Sequence, residues 1–207
     1  MANLTMLGTD YGGWIVDLDL IPHGSTVISA GVGEDISFDL ELINKFSCNV
    51  VGIDPTPKSH KFINNHKELK NFYLIKKALT DKNNDIIKLF KNTNPNHVSE
   101  SELKLHSSVS QYDYHLAETI NLPFLFENYH NISVIKMDIE GSEYSVIKNL
   151  HDVPDSVKQI CVEFHHFCSD RTIEETVECI KHIQSFGFTK IHEKSKHQKL
   201  AEVTLIR

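Results

Sequence analysis

Cysteine is scarce in this 207-residue sequence and unpatterned. Cys48, Cys161, Cys168 and Cys179 form no CxxC pair and no zinc-like spacing, which argues against a disulfide framework or a zinc ribbon. They read as reduced, partly buried thiols of a cytoplasmic protein. Positive charge is also short: 21 Lys and Arg stand against 28 Asp and Glu, a formal net charge of −7. No general basic field exists to draw nucleic acid or an anionic lipid surface, so neither is expected as a partner. No apolar run approaches spanning length, and no basic segment followed by an apolar one opens the sequence. Neither a membrane span nor a secretory leader is expected. Internal repeats and low-complexity linkers are missing too. What remains is 40% hydrophobic and 24% charged, ordinary for a globular chain and enough for one domain with a sizeable core over 1–207.

The chain is organised around residues 27–59. Val27-Ile28-Ser29-Ala30 is a short apolar run of the kind that makes a buried parallel strand. Gly31 and Gly33 turn it, Glu34 and Asp35 follow, and Ile36, Phe38, Leu40, Leu42 and Ile43 give an apolar pattern at helical spacing. Glycine tolerates φ > 0, so strand, glycine turn and helix bring the main chain close to a nucleotide-like ligand. About twenty residues on, a second strand (Cys48 to Ile53) delivers Asp54 where a ribose diol would sit. The third glycine of a dinucleotide fingerprint is replaced by Ile36, whose bulk argues against a pyrophosphate. A ribose-binding acid without a phosphate cradle suits a nucleoside cofactor, and S-adenosylmethionine is the obvious one.

In chain order, residues 1–25 are a lead-in holding the single tryptophan, Trp14, which reads as a lid on the sheet or as a wall of the cofactor pocket. Core strands are expected at 26–30, 49–53, 71–75, 132–137 and 157–162, with helices over 35–46, Pro57 to Leu69, 117–131 in part, Glu143 to about Leu150, and Thr172–Ser185. Thr172 and Glu175 form a capping box. Short strands at 86–90 and 109–116 flank a polar loop, 91–110, of the length and composition that shapes an acceptor pocket. The last strand is expected over Lys199–Ile206.

Five segments in this order, SAGVGEDISFD (29–39), GIDPTPKS (52–59), NPNHVS (94–99), KMDIEGSE (136–143) and VEFHH (162–166), resemble the FkbM family of S-adenosylmethionine-dependent methyltransferases over nearly the whole chain. The resemblance implies a class I methyltransferase fold: a Rossmann-like α/β, seven-stranded, mostly parallel sheet with helices on both faces and an antiparallel last strand. It implies that Gly31 and Gly33 line the methionine part of the cofactor, that Asp54 holds the ribose with Thr56 beside it, and that Ala78 and Leu79 lie near the adenine. Many class I enzymes carry an acid where this chain has Ser29-Ala30, so Glu34 or Asp35 is expected to meet the cofactor's amino group. Relatives methylate hydroxyls, often on sugars or secondary metabolites, which makes a small-molecule acceptor the expectation.

At the carboxyl ends of the strands the ionisable candidates are Asp138, Glu140, Glu143, Glu163, His165 and His166. Strand alternation puts Glu163 and His165 on one side and His166 on the other. His165 is read as general base, oriented or charge-balanced by Asp138 or Glu163. In a rival reading Asp138, Glu163 and His165 hold a divalent cation that lowers the acceptor's pKa. Asp138 is shared with the cofactor site, while His97, Ser99, Glu140 and His166 are expected around the acceptor. His151, His182, His192 and His197 read as solvated surface. The competing functions are a nicotinamide-dependent oxidoreductase and a catalytically idle cofactor-binding module.

Overall fold

The structure, a computed structural model, describes residues 2–66, 69–166, 168, 170–196 and 200–207. Strands β1 (Leu4–Leu7) and β2 (Trp14–Asp17) form an antiparallel hairpin, which is the lead-in. Then come β3 (Thr26–Ala30), α1 (Ser37–Phe46), β4 (Asn49–Ile53), α2 (Pro57–Asn65) and β5 (Phe72–Ile75). The next elements are β6 (Ala78–Leu79), β7 (Ile86–Asn92), β8 (Val109–Ile120) and α3 (Leu122–Asn128). The chain finishes with β9 (Ile132–Met137), α4 (Glu143–Lys148), β10 (Gln159–Phe164), α5 (Ile173–Ser185), β11 (Thr189–Lys196) and β12 (Leu200–Ile206). Lys199 and His197 lie outside the described residues.

Seven strands form one sheet in the order β5-β4-β3-β9-β10-β12-β11. Neighbours among β5, β4, β3, β9 and β10 are parallel, and only β12 runs against the rest. This is the class I arrangement the sequence predicts. Alternation along each strand sorts the core into two layers. Ile28, Val51, Ile135 and Ile160 pack with Leu122 and Leu125 of α3, Tyr144 and Ile147 of α4, and Ile180 and Ile183 of α5. Val27, Val50, Val134 and Cys161 pack on the other face with Phe38 and Leu42 of α1 and with Leu7, Trp14 and Val16 of the hairpin. The Gln159 side chain clamps that hairpin, accepting from Asp17 N (2.8 Å) and donating to Asp17 O (2.9 Å).

Because α1 and α4 lie on opposite faces, the chain leaves β3 and β9 in opposite directions. The crevice at their carboxyl ends is therefore the topological switch point, where ligands bind in open α/β sheets. Between β5 and α3 sits a three-stranded sheet, β6-β8-β7, at the place of an ordinary crossover.

Helix α2 stops at Asn65, four residues short of Leu69, and three further expectations are corrected. Residues 117–120 continue β8, since Ala117 and Thr119 are buried around the exposed Glu118, and only Leu122–Asn128 is helical. Asn121 caps that helix by accepting from Phe124 N (3.0 Å). Helix α4 stops at Lys148, two residues short of Leu150. Strand β10 runs through Phe164, so Glu163 is a strand residue and His165 lies just past the end.

Gly31 is the tightest point of the crevice. Its φ is +76°, and a Cβ there would lie 1.7 Å from the Asp138 carbonyl oxygen. Gly31→Ala is expected to cost more than about 4 kcal/mol in urea unfolding. Gly187→Ala, with φ +89° but open space around it, should cost about 1–2 kcal/mol of left-handed strain alone.

Candidate active site

The crevice is a cleft of about 550 Å³, within the usual size range of a small-molecule site. Its first half is built by β3, β4 and the turns after them. Asp54, buried at the end of β4, accepts from Thr56 N (2.7 Å) and Thr56 Oγ1 (2.6 Å) on Oδ1, and from Gly33 N (2.8 Å) on Oδ2. Oδ1 is thereby filled, and Oδ2 keeps one lone pair for a ligand. Thr56 braces the carboxylate and also caps α2, accepting from Ser59 N. Gly33 has φ +59°, and a Cβ on it would point across the cleft to Val98 at 3.5 Å. Ile53, Ala78, Leu79, Ile87, Leu89 and Val98 form an apolar wall. Trp14 is both things the sequence allowed, buried against the sheet and a wall of the cleft.

Asp35 ties the hairpin to α1, accepting from Thr9 Oγ1 (2.6 Å) and Ser37 N (2.8 Å). Burial opposes its ionisation, but the bonds from Ser37 and Thr9 outweigh that and hold its pKa below the usual value. Glu34 is exposed at the rim. Beneath the turn the Lys136 ammonium is buried, donating to the carbonyls of Ala30 and Gly31. Asp39 lies buried near it. Burial raises the Asp39 pKa to about 6 against the pull of Lys136.

The second half is built on the turn after β9. Glu140 has φ +54° and Gly141 φ +102°, an uncommon pair for a glutamate-glycine step. Glu143, fully buried at the head of α4, holds the turn. Its Oε1 accepts from Ile139 N (2.9 Å) and its Oε2 from Gly141 N (2.9 Å). His165 Nδ1 donates to the same Glu143 Oε1 (2.9 Å). Its Nε2 faces Glu140 Oε2 at 3.4 Å and Asp138 Oδ1 at 3.7 Å. His106 Nε2 approaches Glu140 Oε2 at 3.5 Å from the loop before β8, and its Nδ1 meets Ser108 Oγ at 2.9 Å. Burial alone would lower the His165 pKa, but Glu143, Glu140 and Asp138 together raise it well above the ordinary value. Burial also raises that of Glu140, against the pull of His165.

The profile described as "Methyltransferase FkbM domain" matches residues 27–190. The chain belongs to the FkbM methyltransferase family. Among solved structures, the FkbM chain shares its fold with precorrin-6y C5,15-methyltransferase from Geobacter metallireducens GS-15. The identity is 10% and the TM-score 0.51, over 92% of this chain and 84% of that one. It also shares the fold of the Methanococcus jannaschii fibrillarin pre-rRNA processing protein, at 14% identity and TM-score 0.54, over 90% and 67%. No curated protein matches the chain. At these identities the likeness concerns the fold, and the chemistry has to be argued from the FkbM cleft itself.

Gly31, Gly33, Glu34, Asp35, Asp54, Thr56, Ala78, Leu79, Asp138, Ser99, Glu140, Glu163 and His165 all line that cleft. His166 and His97 do not fill the roles expected of them. His166 is buried, with Nδ1 3.4 Å from Thr176 Oγ1 under α5, because the chain past Phe164 turns it away from the cleft. His97 is exposed, and its carbonyl is gripped by the Lys58 ammonium (2.6 Å). Glu163 does not share the histidine's setting either. Alternation puts it with Cys161 on the hairpin face, while His165, past the strand end, turns to Glu143. The carboxylates that meet the His165 ring are thus Asp138, Glu140 and Glu143. His165 spends Nδ1 on Glu143 and directs Nε2 toward Glu140 and Asp138. Sequence reasoning missed His106 and Lys136 and underrated Glu143. The signal for Glu143 was its place two residues after Gly141, where a helix-opening carboxylate can reach back to the turn.

Residues 93–108 of the FkbM chain cross the cleft. Ser101 exchanges backbone bonds with Phe90, its hydroxyl donates to Glu140 O (2.5 Å), and Ser142 Oγ donates to Glu102 Oε1 (2.8 Å). Glu100, half-buried here, has its pKa raised to about 7 by burial and then by Asp54, against Lys91 and Lys58. His115 Nδ1 lies 3.4 Å from it. A carboxyl raised from 4.5 to about 7 contributes stability below pH 4.5 that is lost as pH rises through about 7. Glu100→Gln should therefore gain on the unmodified protein by about 2–4 °C in Tm between pH 4.5 and pH 8. Parallel melting curves for the two proteins would refute the assignment.

Proposed function

We propose that this FkbM domain transfers a methyl group from S-adenosylmethionine to a hydroxyl of a small polar acceptor, a sugar or sugar-derived metabolite. The observation that carries this reading is the two-part lining of one cleft: a ribose-type acid, a Cβ-free turn and an apolar wall at one end, and carboxylates with serine hydroxyls at the other. The first half fits the cofactor. Asp54 Oδ2 has a lone pair for a ribose hydroxyl, the main chain at Gly33 can be approached closely, and Ala78 and Leu79 stand with Ile87 and Leu89 as an apolar slot for a base. Bound there, the cofactor would supply a sulfonium-activated methyl group, with sulfur as the leaving group.

The rest falls to the protein. Ser99, Ser107, Ser108 and Glu140 offer hydrogen bonds to a polyhydroxyl compound, and the loop 93–108 keeps bulk water from the junction of the two halves. Holding the acceptor oxygen in line with the methyl group supplies much of the rate. The hydroxyl proton leaves on the side of Asp138 and Glu140, whose carboxylates face the cleft. The net charge of −7 favours a small acceptor over a nucleic acid, and among the described residues no helix is long and apolar enough to cross a membrane.

Calorimetric titration with S-adenosylmethionine and with NAD tests the cofactor assignment. The first is expected to bind, and the second is not. Asp54→Ala should weaken S-adenosylmethionine binding about 100-fold, through loss of a charge-assisted bond and release of the Gly33 turn. Unchanged affinity in a folded Asp54→Ala variant would move the ribose site elsewhere. Tight cofactor binding with no turnover across a panel of sugars would favour an idle binding module.

A further inference from the structure

We propose that Glu100, carried by the insertion, is a second ribose-binding residue that completes recognition of the cofactor's diol with Asp54. The inference rests on the placing of the ribose at Asp54. Two neighbouring hydroxyls bring two donors, and Asp54 cannot answer both. Its Oδ1 already accepts from Thr56 N (2.7 Å) and Thr56 Oγ1 (2.6 Å), and its Oδ2 from Gly33 N (2.8 Å). A carboxylate oxygen accepts about two hydrogen bonds, so Asp54 has room for one hydroxyl. The other needs an acceptor from a different segment, or it is buried with its bond unmade.

The segment after β7 brings that acceptor. Lys58, in the first turn of α2, holds the carbonyls of Pro95 and His97 and so seats this segment beside the end of β4. Val98 then stands across from Gly33, 3.5 Å from where a Cβ on that glycine would lie, and Gly33 N is the donor to Asp54 Oδ2. Glu100 follows two residues later and lines the same cleft. Its Oε2 is enclosed without a hydrogen bond, 3.4 Å from His115 Nδ1, which leaves Oε1 as the oxygen toward the cleft.

The charges facing Glu100 are Asp54 at the end of β4, Lys58 of α2, Lys91 of β7, and Asp113 of β8, with His115 beside it and His60 behind. Neither lysine is committed to Glu100, since Lys91 pairs with Asp113 (2.8 Å) and Lys58 is spent on the two carbonyls. His60 Nε2 is bonded to Asp54 O (2.8 Å). Burial, and then Lys91 and His60, hold the His115 pKa below its usual value, so that ring is neutral at pH 7. Glu100 is correspondingly hard to ionise, with a pKa of about 7. A hydroxyl that donates to a carboxylate favours the ionised form, so Glu100 gives up its proton as the ribose arrives.

The test is calorimetric titration with S-adenosylhomocysteine and with its 2′-deoxy and 3′-deoxy analogues, on variants shown folded by circular dichroism. At pH 8, Glu100→Ala should weaken S-adenosylhomocysteine about 10–100-fold. It should also make the protein indifferent to the loss of one of the two hydroxyls, as Asp54→Ala should for the other. In the unmodified protein, affinity should rise about 3–10-fold between pH 6 and pH 8. Glu100→Gln, whose amide oxygen still accepts, should abolish that rise while staying within about 3-fold of the unmodified protein at pH 6. The rise is taken as the difference between these two proteins, which removes the titration of the ligand itself. A Glu100→Ala variant that keeps the full penalty for both missing hydroxyls overturns the proposal, as does a pH profile that Glu100→Gln shares. Penalties that vanish in Asp54→Ala alone overturn it too, because Asp54 then holds the whole diol. Unchanged binding in Asp54→Ala as well as Glu100→Ala would overturn the ribose placement itself.

Discussion

One fully buried carboxylate, Glu143, organises the half of the cleft built on the turn after β9. A buried charge without partners would cost several kcal/mol, and here three N–H groups answer it: Ile139, Gly141 and His165 Nδ1. In return it fixes the left-handed step at Glu140-Gly141, a conformation that costs on the order of 1–3 kcal/mol when unsupported. That step turns the Glu140 side chain into the crevice instead of along the helix. It also fixes the His165 ring from behind, so that Nε2 has one direction left to face.

The other half depends on backbone contact rather than charge. Gly31 lets the turn after β3 sit against the Asp138 carbonyl, which brings the ends of β3 and β9 together. Gly33 then offers its N–H to Asp54, which joins the ends of β3 and β4. The glycine that reads as a ligand contact is thus first of all a packing requirement between two strands. Function is laid over that requirement, because the same close approach leaves main chain exposed along the floor of the cleft.

Buried runs of β-branched residues made the strands legible, and Gly31, Asp54 and Asp138 at the ends of those runs gave the switch point. The site was less legible wherever alternation stops applying. Phe164 is the last strand residue of β10, so the period of two that paired Glu163 with His165 has no force one step later. His106 lies in a polar loop whose composition does not distinguish a buried imidazole from a solvated one. It becomes recognisable only when the bonds of Ser101 to Phe90 and Glu140 fold the loop over the turn. Lys136 sits in an apolar strand where a lysine looks misplaced, and it is explained by the carbonyls of Ala30 and Gly31 that it caps.

The insertion between β5 and α3 is where this chain departs from a plain crossover, and it supplies Ser99, Glu100, His106 and the apolar pair Ile87 and Leu89. It touches both halves at once. Lys58, in the first turn of α2 just beyond Asp54, holds the carbonyls of Pro95 and His97, while Ser101 and Glu102 hold the turn at Glu140–Ser142. Lys58 thereby ties the start of α2 to the segment that carries His106. The two halves are therefore mechanically joined by a segment outside the seven-stranded sheet. Residues in that segment can change the lining of the cleft without disturbing the strands that define the fold.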